Sequence, residues 1–188
     1  MVKKERKHKG LDIMPPEAWI KKHIDLVPSG GRILDLAAGA GRHTRLALDI
    51  GHSVLAVDRD ISRLDPSLSA ELEIRQCDLE TGTWPLEGET FAGIIVSNYL
   101  WRQLFSHVAH SLAPGGVLLW STFAQGNERF GRPRNPDFLL APNELLEAFS
   151  TDLDVLHFEH REFPAPRASV RQSICARRPV VDPVETGC

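Results

Sequence analysis

The segment Gly31-Arg-Ile-Leu-Asp-Leu-Ala-Ala-Gly-Ala-Gly-Arg42 constrains this chain more than any other. Residues 32–36 read as a buried strand that carries one acidic residue, Asp35, near its end. A loop of small residues, including Gly39 and Gly41, then leads into a helix that begins near Arg42. Small residues let a ligand approach the backbone closely, and a helix start offers free N–H groups. A strand, a glycine-bearing turn and a helix make the first part of a βαβ unit, with a nucleotide-type ligand at the strand's C-terminal end.

The rest of the chain repeats that alternation. Further strands are predicted at 53–57, 72–77, 93–97 and 117–122, and two β-like segments, 153–163 and 169–176, close the chain. Helices are predicted from Pro16 to about Leu26, at 42–50, at 100–112 and at 142–149, with a short helical turn at 61–64. Ala113-Pro114-Gly115-Gly116 reads as a sharp stop before the fifth strand. The expected fold is a doubly wound, Rossmann-like α/β sheet of seven strands, mostly parallel, ending in an antiparallel pair. Residues 15–178 form the expected domain. Residues 1–14 form a basic tail with Lys3, Lys4, Arg6, Lys7 and Lys9, and 179–188 form a second tail.

A length of 188 residues suits one domain with a full core. The net charge of −3 gives no global attraction to nucleic acid or anionic membrane. No apolar run approaches the ~20 residues of a membrane span, and no signal-like segment opens the chain. The three cysteines form no CxxC, which favours free thiols and a cytoplasmic address. The histidines do not suggest a metal site: His107 and His110 share a helix face without a third ligand, and His157 and His160 point to opposite sides of a strand.

Two ligand classes use a loop of this kind. A dinucleotide-binding turn would place a third glycine where Thr44 stands. Asp35 decides further: a carboxylate there repels a pyrophosphate and attracts an ammonium or sulfonium. S-adenosyl-L-methionine carries both cations and no phosphate. Asp58, followed by Arg59 at the tip of the second strand, can accept the ribose hydroxyls. Asp78 can accept from the adenine amino group, with Leu79 packed on the ring.

These residues bring a family into view. Asp35-Leu-Ala-Ala-Gly-Ala-Gly41, Asp58, Cys77-Asp78-Leu79 and Leu112-Ala-Pro-Gly-Gly116 resemble the successive motifs of class I S-adenosylmethionine-dependent methyltransferases. Gly41-Arg42-His43, Ser97-Asn98-Tyr99-Leu100 and the stretches 122–133 and 136–140 are similar to a small bacterial subgroup that is tellurite-resistance-like. The resemblance implies an antiparallel strand inserted in the sheet and a cofactor held by Asp35, Ala37, Gly39, Gly41, Arg42, Asp58, Arg59, Asp78, Leu79 and Ser97. The chain departs from the family pattern at Ala37, for the first loop glycine, and at Ala38, for a common cysteine. Gly93 replaces a frequent Asp, Trp101 an expected His and Ser121 an expected Glu; the last two are expected near the acceptor. Ala37 is expected to cost little, since alanine accepts most angles except φ > 0.

Methyl transfer from a sulfonium can rest on positioning and desolvation alone. Asn98, Tyr99 and Glu128 are the candidate catalytic residues. Asn98 and Tyr99 sit at the end of the fourth strand, and the long loop 123–140 is expected to act as a lid with Asn127 and Glu128 facing the acceptor. The expected activity is methyl transfer to a small molecule, with a thiol or chalcogen compound as one candidate. Alternatives are a non-catalytic S-adenosylmethionine-binding protein, or an RNA or protein methyltransferase that uses the basic arm.

Overall fold

The structure is a computed structural model that describes residues 14–180. Residues 1–13 of the expected basic tail, 1–14, and 181–188 of the expected C-terminal tail, 179–188, lie outside the described residues.

Seven strands form one sheet: β1 (Arg32–Leu36), β2 (Ser53–Asp58), β3 (Leu72–Gln76), β4 (Phe91–Ser97), β5 (Leu112–Phe123), β6 (Asp154–Phe163) and β7 (Ser169–Arg177). Their order is β3-β2-β1-β4-β5-β7-β6, and β7 alone runs against the others. The expected terminal antiparallel pair is therefore present, with β7 inserted between β5 and β6. From β1 the chain builds outward to β2 and β3, then returns to place β4 on the other side. The crevice between the C-terminal ends of β1 and β4 is thus the topological switch point, where doubly wound sheets bind ligands.

Both faces of the sheet are covered, which explains the nearly continuous apolar strands. On one face, Leu34, Leu36, Val96 and Trp120 pack with α3 (Leu104–His110) and α4 (Glu144–Phe149). On the other, Ile33, Val54, Ile95 and Leu119 pack under α1 (Ala18–His23) and α2 (Arg42–Asp49). Gly93 belongs to this second packing: a Cβ there would lie 2.8 Å from Val27 Cγ1 and 3.2 Å from Ile33 Cγ1. The missing Asp at 93 is thus explained by close contact with the segment that follows α1. Among the described residues no helix is long and apolar enough to cross a membrane.

Several expected boundaries move. α1 begins at Ala18, after the Pro15-Pro16 pair, and tightens into a 3₁₀ turn at Ile24–Leu26. The turn expected at 61–64 is a single hydrogen-bonded turn, Leu64 N to the Ile61 carbonyl at 3.0 Å, and a 3₁₀ turn at Pro66–Leu68 follows it, where the Asp65 carboxylate accepts from Ser67 N. The helix expected from Leu100 starts only at Leu104; just before it, Arg102 bonds Glu144 and the carbonyls of Asp137 and Leu139. The stop at 113–116 is an irregular excursion within β5: Phe91 pairs Leu112, Gly93 pairs Val117, and Gly115 and Gly116 bond Arg178.

Candidate active site

The small-residue loop turns from β1 into α2 through Ala37, Gly39 and Gly41, all with positive φ (57°, 60° and 73°). Ala37 therefore adopts the one region in which alanine is strained, at about 1–2 kcal/mol, so the expected mild effect of losing this glycine is corrected. Asp35 lies beneath the loop, buried on the α2 side of β1. Thr44, which stands in place of a third glycine, donates from Oγ1 to Asp35 Oδ2 at 2.6 Å. Burial pushes the Asp35 carboxyl up to about 6 even though the Thr44 hydrogen bond favours its charged form.

Asp58 closes the loop from the next strand. Its Oδ2 accepts from Gly39 N at 2.8 Å and its Oδ1 from Asp60 N at 2.9 Å. Each carboxylate oxygen retains acceptor capacity beyond one bond, so this anchoring does not exclude a ribose. No atom lies within 4 Å of where a Gly39 Cβ would stand, so the loop faces open space there. Arg59 is exposed beside Asp58, and its carbonyl accepts from Gln76 Nε2. Asp78 is exposed and turns back to Glu80 N, while Leu79 is buried in the core against the turn.

Arg42 opens α2 and reaches across the switch point, donating to Ser97 Oγ at 2.8 Å. Ser97 Oγ in turn donates to Glu17 Oε2 at 2.8 Å. Glu17 is the hub that the sequence did not reveal. Its carboxylate also accepts from Ser121 Oγ and pairs with Arg171 at 3.1 Å. Its N–H donates to His43 Nε2 at 3.1 Å, so that ring is neutral; burial, with Arg42 and Arg171 nearby, pushes His43 down to about 3. Arg171 is buried, bonds Asn98 Oδ1 at 2.9 Å and the Ser121 carbonyl at 3.2 Å, and lies over the Phe123 ring at 4.5 Å. The family resemblance puts a Glu at position 121; here Ser121 stands there and Glu17 brings a carboxylate to it from the other end of the chain.

The catalytic candidates separate. Asn98, with φ 56°, lies at the end of β4 against Arg171. Tyr99 turns the other way: its hydroxyl lies 3.5 Å from Glu80 Oε1, on the Asp78 side, and burial with nearby acids raises its pKa. Glu128 folds back to accept from Gly126 N at 2.8 Å and does not line the cavity described below. Asn127 is buried, donating to the Pro133 carbonyl and accepting from Val170 N. Both residues bond within or beside the loop, and neither lines the cavity described below. Trp101 likewise packs against the core of the α3 face rather than toward the cavity.

A cavity of about 750 Å³ opens beside the loop, between residues 14–19 and the β6–β7 end of the sheet. Arg42 and Asn98 form its wall nearest the switch point; Trp19, Phe123 and Phe163 supply aromatic surface. Arg42 stands between the two features: it follows the loop closed by Asp58 and lines this cavity. Among the described residues no group of three or more His, Cys, Asp or Glu is placed to hold a metal.

Solved structures share this architecture. TehB from Haemophilus influenzae superposes with a TM-score of 0.68 at 18% identity, over 84% of this chain and 61% of that one. The chain has the class I methyltransferase fold. A Burkholderia thailandensis 1,6-didemethyltoxoflavin-N1-methyltransferase, solved with 1,6-didemethyltoxoflavin and S-adenosylhomocysteine, shares the fold at 22% identity and TM-score 0.62, over 84% of this chain and 74% of that one. The [4+2]-cyclase SpnF shares it at 16% identity and TM-score 0.66, over 90% and 86%. This chain thus spans less than two thirds of TehB. No protein-family model and no curated relative matches the chain by sequence.

Proposed function

We propose that this protein is an S-adenosylmethionine-dependent methyltransferase with a small-molecule acceptor. The observation that carries the reading is the junction at Arg42, where the loop anchored by Asp58 meets the 750 Å³ cavity. A donor held on one side and an acceptor on the other meet there. The methyltransferase neighbour solved with a small heterocycle and S-adenosylhomocysteine supports the same assignment by analogy.

The donor set fits the cofactor. Asp58 offers carboxylate oxygens for a ribose, the open space at Gly39 admits a nucleoside, and buried Asp35 puts an acid under the loop. Arg42 has guanidinium N–H groups left over for a carboxylate after its bond to Ser97. When bound, the cofactor supplies an electrophilic methyl on a sulfonium. The chain's own work is then to orient, exclude water and hold charge. Ser97 and Asn98 define the end of β4 beside the acceptor, and Arg171 fixes Asn98. We assign Tyr99 to the wall on the Asp78 side. Cys77 and Cys175, free among the described residues, support a cytoplasmic address.

A sensor without turnover is the competing reading, and the cyclase neighbour is a reminder that this fold hosts other chemistry. The cavity favours an enzyme, because a sensor needs no second compartment against the donor. Calorimetry with S-adenosylhomocysteine tests the cofactor. Release of S-adenosylhomocysteine from S-adenosylmethionine in fractionated small-molecule extract tests turnover. Saturable binding with no turnover in any fraction would establish the sensor; no binding would overturn both readings.

A further inference from the structure

The cavity has a charge of its own. Five cations line it, Lys22, Arg42, Arg161, Arg167 and Arg171, against two carboxylates, Glu17 and Glu159. The chain as a whole is net negative, at −3, so this wall reverses the sign of the molecule. The two carboxylates are already committed. Glu17 pairs with Arg171 at 3.1 Å, and Glu159 pairs with Arg161 at 3.3 Å. Arg42 donates to a serine hydroxyl, and Lys22 and Arg167 have no ion pair among the described residues. Three cations therefore face the cavity without a carboxylate partner.

They are not spread evenly. Lys22 and Arg167 are exposed and mark the rim, whereas Arg171 is buried and Arg42 half-buried at the inner end. Between them lie Trp19, Phe123, Phe163 and two prolines, Pro164 and Pro166. The volume suits one small organic molecule. Apolar walls that end in unpaired cations select a ligand with a flat or apolar body and an anionic end.

We propose that the cavity binds an anionic aromatic small molecule, a carboxylate or sulfonate, with its anion on Lys22 and Arg167 at the rim and its methyl-accepting end directed to Arg42 and Asn98. This rests on the methyltransferase reading and names its acceptor class. An uncharged acceptor would gain nothing from Lys22 and Arg167, and a cationic one would be repelled by them.

The test uses the full chain saturated with S-adenosylhomocysteine and two fluorescent probes of the same body. One is 1-anilinonaphthalene-8-sulfonate, which is anionic; the other is N-phenyl-1-naphthylamine, which lacks the sulfonate. The sulfonate is expected to bind once per chain, at least tenfold tighter than the uncharged probe. The double variant Lys22→Gln/Arg167→Gln is expected to weaken it at least fivefold and to leave S-adenosylhomocysteine affinity unchanged, since both residues are exposed and remote from Asp58. No sulfonate binding, equal affinity of the two probes, or no effect of the double variant would overturn the proposal. Loss of the methyltransferase reading itself would show separately, as absent S-adenosylhomocysteine binding at the start.

Discussion

Asp58 carries two loads at once, and a pair of substitutions separates them. Its carboxylate ties Gly39 N–H to the tip of β2, and under the proposed function it also receives the ribose. Asp58→Ala removes both, and is expected to weaken S-adenosylhomocysteine by about 1–3 kcal/mol and to lower thermal stability as well. Asp58→Asn can still accept from Gly39 with its amide oxygen. It gives up the bond from Asp60 N–H, so it should melt between Asp58→Ala and wild type while losing part of the affinity. Calorimetry and melting curves decide this; equal binding in all three proteins would remove the ribose from Asp58. Ala37 gives a second residue-level prediction. At φ 57° it holds a strained angle that glycine takes freely. Ala37→Gly should gain about 0.5–1 kcal/mol in urea denaturation, the relief of strain less the extra entropy glycine loses on folding. A destabilised variant would mean that the alanine methyl packs productively.

Periodicity exposed the elements well wherever burial was two-sided. β4 is almost wholly apolar and β1 and β2 have apolar centres, and their strand type followed from the runs 32–36, 53–57 and 93–97. Helix starts were less legible because side chains near them serve distant partners. Arg102 belongs by pattern to the helix before β5, yet it is spent on Glu144 and on loop carbonyls. Pro15-Pro16-Glu17 reads as a helix start, and Glu17 does cap α1 with its carbonyl, but its side chain turns away to join Ser97, Ser121 and Arg171. That contact spans 154 positions in sequence, and no local signal reports it. Its energetics are testable. Both side chains are largely buried, so Glu17→Ala leaves a desolvated guanidinium, at an expected cost of about 3 kcal/mol. Arg171→Met in the same protein removes the orphaned charge, and the double variant should recover much of that loss. Urea midpoints of the two single variants and the double variant give the coupling directly. If the losses simply add, Glu17 is held by its serines and not by the ion pair.

At the scale of the whole molecule, the donor half of the candidate site was legible because it is built from contiguous sequence at strand tips. Asp35, Gly39, Gly41 and Asp58 all fall within one βαβ unit. The acceptor half was not, because its wall joins residues 14–22 to 159–171 across the sheet. Only the fold makes those stretches neighbours. The same crossing places two buried titratable groups near the switch point with opposite shifts, which gives the protein a distinctive response to acid. Asp35 is raised from 3.8 to about 6, so the folded state binds this proton more readily; its contribution is full below 3.8 and is lost as the pH rises through 6. His43 is lowered from 6.5 to about 3, so the folded state resists this proton; its contribution is full above 6.5 and is lost as the pH falls toward 3. Between about pH 4 and 6 the two slopes oppose each other. Asp35→Asn keeps an acceptor for Thr44 and deletes only one of the titrations. Relative to wild type, the variant should therefore lose stability as the pH is lowered from 6 to 4, by up to about 1.4 kcal/mol per unit. Urea midpoints of both proteins at pH 4, 5, 6 and 7 measure that difference, and other titrating groups cancel in it. A difference that stays constant across the range would mean that Asp35 titrates near its ordinary value, and that the acid beneath the loop is better solvated than its burial implies.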